Sequence, residues 1–133
     1  MSHWLLKSDP ETYSFQDLLR DGKTVWDGVR NAQAKKYLSQ MRPGDIAFIY
    51  HSQTDKEIVG TARIVGTPMP DPKDEAWVAV EIAALDVFPH AVSLEQIKRD
   101  ETLKEMLLVK QSRLSVMPVT APQAKKIEKM ARV

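Results

Sequence analysis

The 133-residue sequence contains no cysteine. A disulfide framework, a thiolate metal site and a cysteine nucleophile are therefore excluded. No apolar run approaches the roughly 20 residues that a membrane-spanning helix needs. The first ten residues also lack the charged, apolar and small-residue order of a signal peptide. We interpret the chain as a cytoplasmic protein that makes no membrane contact.

An excess of charge of one sign is also missing, because 19 basic and 18 acidic residues give a formal net charge of +1. Such a chain is not expected to coat a long nucleic acid by charge alone. A nucleic-acid role would need a local basic face and a specific pocket. The apolar share of 43% is ordinary for a globular protein. We therefore expect a single domain over residues 1–133.

The usual catalytic and metal-binding patterns do not occur. The three histidines, His3, His51 and His90, are far apart and have no acidic cluster beside them, so we expect no metal site. Neither a Walker-type phosphate loop nor a Gly-x-Ser-x-Gly turn is present. We expect no cofactor and no catalytic residue, and we interpret the chain as a binding module rather than an enzyme.

Short apolar runs separated by turns predict strands, and capped amphipathic stretches predict helices. The predicted strands cover residues 3–7, 46–50, 58–65, 77–87 and 115–119. The predicted helices cover residues 15–19, 32–41, 94–99, 101–108 and 124–131, and their N-caps include Ser14, Asn31 and Ser93. Irregular chain is expected at 25–30 and 68–72, and Pro89 is expected to end a strand. This order predicts an α+β fold, a small mixed β-barrel with helices packed around it.

Four polar segments lie at predicted strand ends or turns. They are Lys7-Ser8-Asp9-Pro10, Trp26-Asp27-Gly28-Val29-Arg30-Asn31, Tyr50-His51-Ser52 and Gln111-Ser112-Arg113-Leu114-Ser115-Val116. Strand ends of a small barrel can converge on one mouth, where pockets often form. A planar heterocycle needs an aromatic ring for stacking and polar groups at its edge. The segments therefore predict a nucleobase pocket.

Several of these residues also have a purely structural interpretation. Trp4 and Trp77 lie within apolar strands and are expected in the core, and Trp26 alone would also be more often core than stacking platform. Asn31 is explained equally well as a helix cap. Arg113 alone would be more often a solvated or ion-paired side chain than a phosphate clamp. The pocket prediction depends on the combination of segments.

Taken in order, the segments resemble the EVE domain family. The matching stretches begin with Trp4-Leu5-Leu6-Lys7-Ser8-Asp9-Pro10 and Trp26 to Asn31, and continue through Gly44-Asp45, Tyr50-His51-Ser52, Ile58-Val59-Gly60, Pro70-Asp71-Pro72, Trp77-Val78 and residues 111–119. The resemblance implies a PUA-like β-barrel related to YTH and ASCH domains, of the stand-alone thymocyte nuclear protein type. It also implies a reader of modified bases, including modified cytosines in DNA.

On this resemblance we expect a modified base, in DNA or RNA, to leave its stack and enter the barrel mouth of a monomer. Trp26 would form an aromatic wall, and Tyr50 would form a second. Arg30 and Arg113 would hold the flanking phosphates through their guanidinium groups. The edge of the base or its sugar would be read by a set of polar side chains: Lys7, Ser8, Asn31, His51, Ser52 and Ser115.

Two alternatives stay open. The related ASCH class includes small amidohydrolases that use a lysine, a hydroxyl and a carboxylate, a composition that Lys7, Ser8 and Asp9 share. Adjacent strand residues point to opposite faces, however, so Lys7 and Ser8 need not meet. The other alternative is a scaffold module whose pocket is filled by its own side chains.

Overall fold

The computed structural model describes residues 1–53 and 55–132, which form seven strands and five helices. The strands are β1 (His3–Ser8), β2 (Lys23–Trp26), β3 (Ile46–His51), β4 (Glu57–Ile64), β5 (Met69–Asp71), β6 (Asp74–Ser93) and β7 (Val116–Val119). The helices are α1 (Phe15–Asp21), α2 (Ala32–Ser39), α3 (Leu94–Arg99), α4 (Leu107–Lys110) and α5 (Ala121–Arg132).

The strands form one mixed sheet in the order β2-β6-β4-β3-β1-β7, and β5 pairs with β6 beside this path. Strands β1 and β3 are parallel, and the other pairs are antiparallel. Strand β7, at one end of the path, carries Pro118, which pairs with Trp4 of β1. In the described chain, no pairing joins β7 to β2 at the other end. The α+β class is therefore confirmed, with a barrel that stays open along this seam.

The helix starts follow from local hydrogen bonds that the sequence predicts. The Ser14 hydroxyl accepts the Asp17 N–H at 3.0 Å, and the Asp17 carboxylate accepts the Ser14 N–H at 2.9 Å. A second capping box at Ser93 begins α3. The side chain of Asn31 accepts the Ala34 N–H at 2.9 Å and begins α2. Each cap satisfies a backbone donor that the first turn of a helix leaves free.

The core lies between the sheet and the helices packed on it. Leu5, Phe48 and Ile82 from the strands are fully buried, as is Leu38 of α2. Gly60 has a special place, because a Cβ atom there would lie 2.5 Å from both the Asp86 carbonyl oxygen and the Phe15 ring. Glycine is therefore required for α1 to pack this closely on β4.

Four local predictions are wrong. Residues 25 and 26, expected to be irregular, belong to β2, because Trp26 pairs with Val80. Residues 68–72 contain the short strand β5, where an edge position tolerates Pro70. Pro89 does not end β6, since it lies in a bulge between the registers of Val87 and Val92. Residues 101–106 form turns, and the helix expected at 101–108 begins only at Leu107.

Candidate nucleobase cleft

A cleft of about 510 Å³ lies across the open seam of the barrel. One wall comes from the end of β1 and the start of β7, which the Lys7 N–H joins through a 2.9 Å bond to the Ser115 carbonyl. The opposite wall comes from β2 and the loop after it, residues 24–30. The volume is typical of a small-molecule site. The cleft exists because β2 and β7 stay apart.

Two aromatic rings meet inside this cleft. Trp26 is half-buried, and the Tyr13 ring stands edge-on to it, with centroids 6.4 Å apart and an interplanar angle of 81°. The Tyr13 hydroxyl donates to the Asp21 carboxylate at 2.8 Å, and the Tyr13 N–H donates to the Asp9 carbonyl at 2.9 Å. Burial and the Asp21 bond raise the pKa of Tyr13, so the ring stays neutral. The result is a fixed right-angled apolar corner.

The loop after β2 is anchored by a buried carboxylate, Asp71 of β5. This carboxylate accepts the Gly28 N–H at 2.8 Å, the Lys73 N–H at 2.7 Å and a guanidinium N–H of Arg30 at 2.9 Å. The Arg30 bond, together with the two backbone N–H groups, holds the pKa of Asp71 well below its usual range. Gly28 has a φ of 80°, in the left-handed region that favours glycine. Arg30 is therefore placed at the cleft edge by an ionised group beneath it.

Lys7 brings a positive charge to the other wall. Its ammonium donates to the Ser112 carbonyl at 2.7 Å and lies 5.9 Å from the centroid of the Tyr50 ring. Burial lowers the pKa of Lys7 from its usual value. The neighbouring Ser8 hydroxyl donates to the Tyr13 carbonyl. Both Lys7 and Ser8 line the cleft, but the Ser8 proton is already engaged.

Positive and negative groups are mixed in the cleft. The carboxylates of Asp9 and Asp27 share the lining with Lys7 and Arg30. The ammonium of Lys73 lies 3.8 Å from Asp27. The lining therefore offers acceptors as well as donors, as the edge of a nucleobase requires.

Three predicted residues lie behind the β1 wall and not in the cleft lining. Tyr50 and His51 are buried, and they belong to β3, which β1 separates from the seam strand β7. The Nε2 atom of His51 accepts the Phe15 N–H at 3.0 Å, and the Ser52 hydroxyl donates to the Ser8 carbonyl at 3.3 Å. These contacts position the end of β1 and the start of α1.

Asn31 and Arg113 lie in a neighbouring polar depression of about 330 Å³. The depression also contains Ser112, whose carbonyl holds the Lys7 ammonium. Asn31 has the structural role of N-cap, while Arg113 is exposed. The structure thus brings together half of the predicted site residues in the cleft itself: Lys7, Ser8, Trp26, Arg30 and Ser115.

Sequence reasoning missed further lining residues. Some lie inside segments that it had singled out, namely Asp9, Asp27, Gly28 and Val29. Thr12, Tyr13, Thr24 and Val25 carried no sequence signal. Tyr13 reaches the cleft because the turn after β1 folds back onto Asp9. Asp71 belongs to the stretch Pro70-Asp71-Pro72, but its bonds to Gly28 and Arg30 become visible only in the folded structure.

In the part of the chain that the structure describes, no group of three or more His, Asp or Glu side chains has an arrangement that could hold a metal ion. None of the helices described there is long and apolar enough to cross a membrane.

Thymocyte nuclear protein 1 of Homo sapiens is 31% identical to this chain over an alignment of 155 positions. The alignment covers 90% of this chain and 69% of that protein. A Rhodopseudomonas palustris protein solved by NMR is 42% identical, with a TM-score of 0.94 over 98% of this chain and 93% of its own.

A crystal structure of human THYN1 protein in complex with DNA containing 5-methylcytosine has 28% identity and a TM-score of 0.93. It covers 100% of this chain and 99% of that chain. The family model described as "EVE domain" matches residues 2–130. The chain therefore belongs to the EVE domain family.

Proposed function

We propose that this protein reads a modified nucleobase that has flipped out of nucleic acid, with 5-methylcytosine in DNA as the first ligand to test. The observation that carries the proposal is the right-angled corner of Trp26 and Tyr13 in the seam cleft. The complex of human THYN1 protein with DNA containing 5-methylcytosine supports the choice of ligand.

Stacking supplies most of the affinity. Removing a base from its stack costs a few kcal/mol, and stacking on an aromatic side chain returns about 1–3 kcal/mol. The Trp26 face takes the base, and the Tyr13 edge closes one side. A methyl group buried in this corner adds about 0.8 kcal/mol, which is roughly a fourfold preference over the unmodified base.

The base edge is read by the polar lining. Cytosine presents an exocyclic amine donor and ring acceptors. The carboxylates of Asp9 and Asp27 are the matching acceptors, and the partly desolvated ammonium of Lys7 is the matching donor. The Ser115 side chain adds a further polar group at this wall.

The sugar–phosphate backbone on either side of the flipped nucleotide lies outside the cleft. Arg30 and Arg113 bind phosphates on either side of the flipped nucleotide, since guanidinium groups pair well with phosphate oxygens. Asn31, Tyr50, His51 and Ser52 act from behind, by fixing α2 and the end of β1. Cytoplasmic location, a monomeric state and binding to RNA stay predictions, and the curated human relative is named a nuclear protein.

The test is a titration of wild-type protein and Trp26→Ala with 5-methyl-2′-deoxycytidine and with a short oligonucleotide containing it. Trp26→Ala should weaken both about 5- to 150-fold, as expected from the loss of 1–3 kcal/mol of stacking. Trp4→Phe is the matched control, because Trp4 is buried outside the cleft. Unchanged affinity in Trp26→Ala would refute the assignment. Measurement at two salt concentrations reports the phosphate contribution.

An amidohydrolase is the second candidate, since Lys7, Ser8 and Asp9 all line the cleft. The engagement of the Ser8 hydroxyl with the Tyr13 carbonyl speaks against a free nucleophile. A screen of acylated cytidines decides the matter. Turnover by the wild type that disappears in Lys7→Ala would establish an amidohydrolase. Absence of turnover in the wild type would favour the modified-base reader.

A further inference from the structure

A second groove lies beside the cleft, between α2 and the hairpin of β5 and β6. Its volume is about 400 Å³, and Trp77, Met69 and Pro70 form much of its apolar surface. Trp77 was expected in the core, but it is only half-buried. Part of a large aromatic ring therefore lies at the groove surface.

Two cations flank the Trp77 ring. The Arg30 guanidinium lies 5.7 Å from the ring centroid, and the Lys35 ammonium lies 5.8 Å from it. Both distances are near the outer limit of about 6 Å for a cation–π contact. Lys35 also donates to the Ala76 carbonyl at 2.7 Å, and it forms no ion pair within residues 1–53 and 55–132. The groove therefore combines an aromatic surface with two neighbouring cations, and the carboxylate-bearing Glu75 also lines it.

Arg30 links the groove to the cleft. Arg30 lines the cleft and contacts Trp77 from the same guanidinium. Lys73, with a side chain that is 70% exposed, lies 3.8 Å from the cleft residue Asp27. Basic side chains therefore occur at Arg30, Lys73 and Lys35, alongside the exposed carboxylates of Asp74 and Glu75. A nucleic-acid strand with one base in the cleft would bring its adjacent nucleotide to these side chains.

We propose that Trp77 and Lys35 form a second nucleotide subsite, which takes the unpaired nucleotide adjacent to the flipped one. Its base packs on Trp77, and the phosphate between the two nucleotides lies between Arg30 and Lys35. The inference rests on the proposed function and extends it from a single base to a single-stranded segment of at least two nucleotides. Met69 and Pro70 would also suit an apolar peptide, but the two cations favour an anionic strand.

The first test uses ¹⁹F NMR of protein labelled with 5-fluorotryptophan. The chain has three tryptophans, so three resonances are assigned with Trp4→Phe, Trp26→Phe and Trp77→Phe. 5-Methyl-2′-deoxycytidine should shift the Trp26 resonance alone. A trinucleotide with central 5-methylcytosine should shift Trp26 and Trp77 together. Trp4, buried and bonded to Asp45, is the internal reference.

The second test measures affinity. Trp77→Ala should weaken trinucleotide binding about 5- to 150-fold, the range for one stacked base, and leave nucleoside binding within about twofold. Lys35→Gln should reduce the slope of log affinity against log salt by about 0.7, as for one phosphate contact on a single strand. Lys36→Gln is the matched control, since it removes the next lysine of α2, an exposed one.

The outcomes separate the two proposals. A trinucleotide that shifts Trp26 but not Trp77, or equal trinucleotide affinity in Trp77→Ala, overturns the subsite and leaves the base reader intact. A Trp26 resonance that stays still with both probes overturns the base reader, and the adjacent subsite with it.

Discussion

The regions around Asp45 and Asp71 use the same chemistry for different ends. The Asp45 carboxylate is buried and accepts three neutral donors: the Ser2 N–H at 3.1 Å, the Arg42 N–H at 3.0 Å and the Trp4 indole N–H at 3.0 Å. Trp4 is only 5% exposed. All three donors to Asp45 are groups of the protein itself, and Asp45 does not line the cleft.

Asp71 also accepts three donors, but one of them belongs to the half-exposed Arg30. Within the described chain only Nη1 of Arg30 makes hydrogen bonds, to Asp71 and to the Val29 carbonyl. The other guanidinium nitrogens are thus available to a ligand. A buried carboxylate has a purely structural role when all of its donors are fully used inside the protein. It supports a binding surface when one donor has further N–H groups without a partner.

The largest effect on stability is expected from Asp45→Ala. The change leaves the buried indole N–H of Trp4 unpaired and removes two further bonds, so the free energy of unfolding should fall by about 3 kcal/mol. Nucleoside affinity should stay unchanged, because the region does not line the cleft. Urea denaturation and a nucleoside titration of the folded variant measure both. A large loss of affinity would show that the two regions are coupled.

Asp71→Asn should reverse this pattern. Its stability loss should be smaller, roughly 1.5 kcal/mol, since Arg30 can turn to water when its partner is neutral. Binding should weaken about tenfold, the equivalent of one hydrogen bond to a charged group, because the loop of Gly28 loses its anchor. Urea denaturation measures the stability loss, and a nucleoside titration measures the loss of affinity.

Asp74→Asn is the control for Asp71→Asn, as it changes an exposed carboxylate of the same hairpin. Equal binding in Asp71→Asn and Asp74→Asn would mean that the loop holds its place without Asp71.

The smallest effect concerns pH. The Arg30 bond lowers the pKa of Asp71. At Asp45, burial acts to raise the pKa, but the Trp4, Ser2 and Arg42 bonds outweigh it and the net shift is downward. Folded pKa values below the unfolded value of about 3.9 give stability that is complete above that pH and lost as pH falls toward the folded values.

The free energy of unfolding should therefore decrease as pH falls from about 4 to about 2. The slope should be shallower in Asp71→Asn than in the wild type, because a carboxylate with a lowered folded pKa has been removed. Chemical denaturation at a series of pH values measures the slope. Identical slopes in the two proteins would contradict the role given to Asp71.

Local chemistry made part of the molecule predictable. The caps at Ser14, Asn31 and Ser93 each bond to a residue three positions later, so the bonding partners can be identified from the local sequence. Trp26 and Arg30 could be found for a similar reason, because they lie four residues apart in one polar segment.

The remaining site residues depend on contacts between distant segments. Asp71 binds Gly28 and Arg30 across 43 and 41 positions of sequence. Tyr50 lies one strand further from the seam because β1 stands between β3 and β7, which alternation within one strand cannot show. Trp77 belongs to an apolar stretch, but it lies where the register of β6 with the edge strand β5 shifts, and it is only half-buried.

The prolines of β5 and β7 have a consequence for crowded solutions. A sheet edge can recruit a strand from another molecule, and native edges resist this when they carry proline. Pro70 lies in β5, and Pro118 lies in β7 at the end of the sheet path. Each proline lacks the backbone N–H that a foreign strand could bond, so strand addition at β5 and β7 is disfavoured even at high concentration.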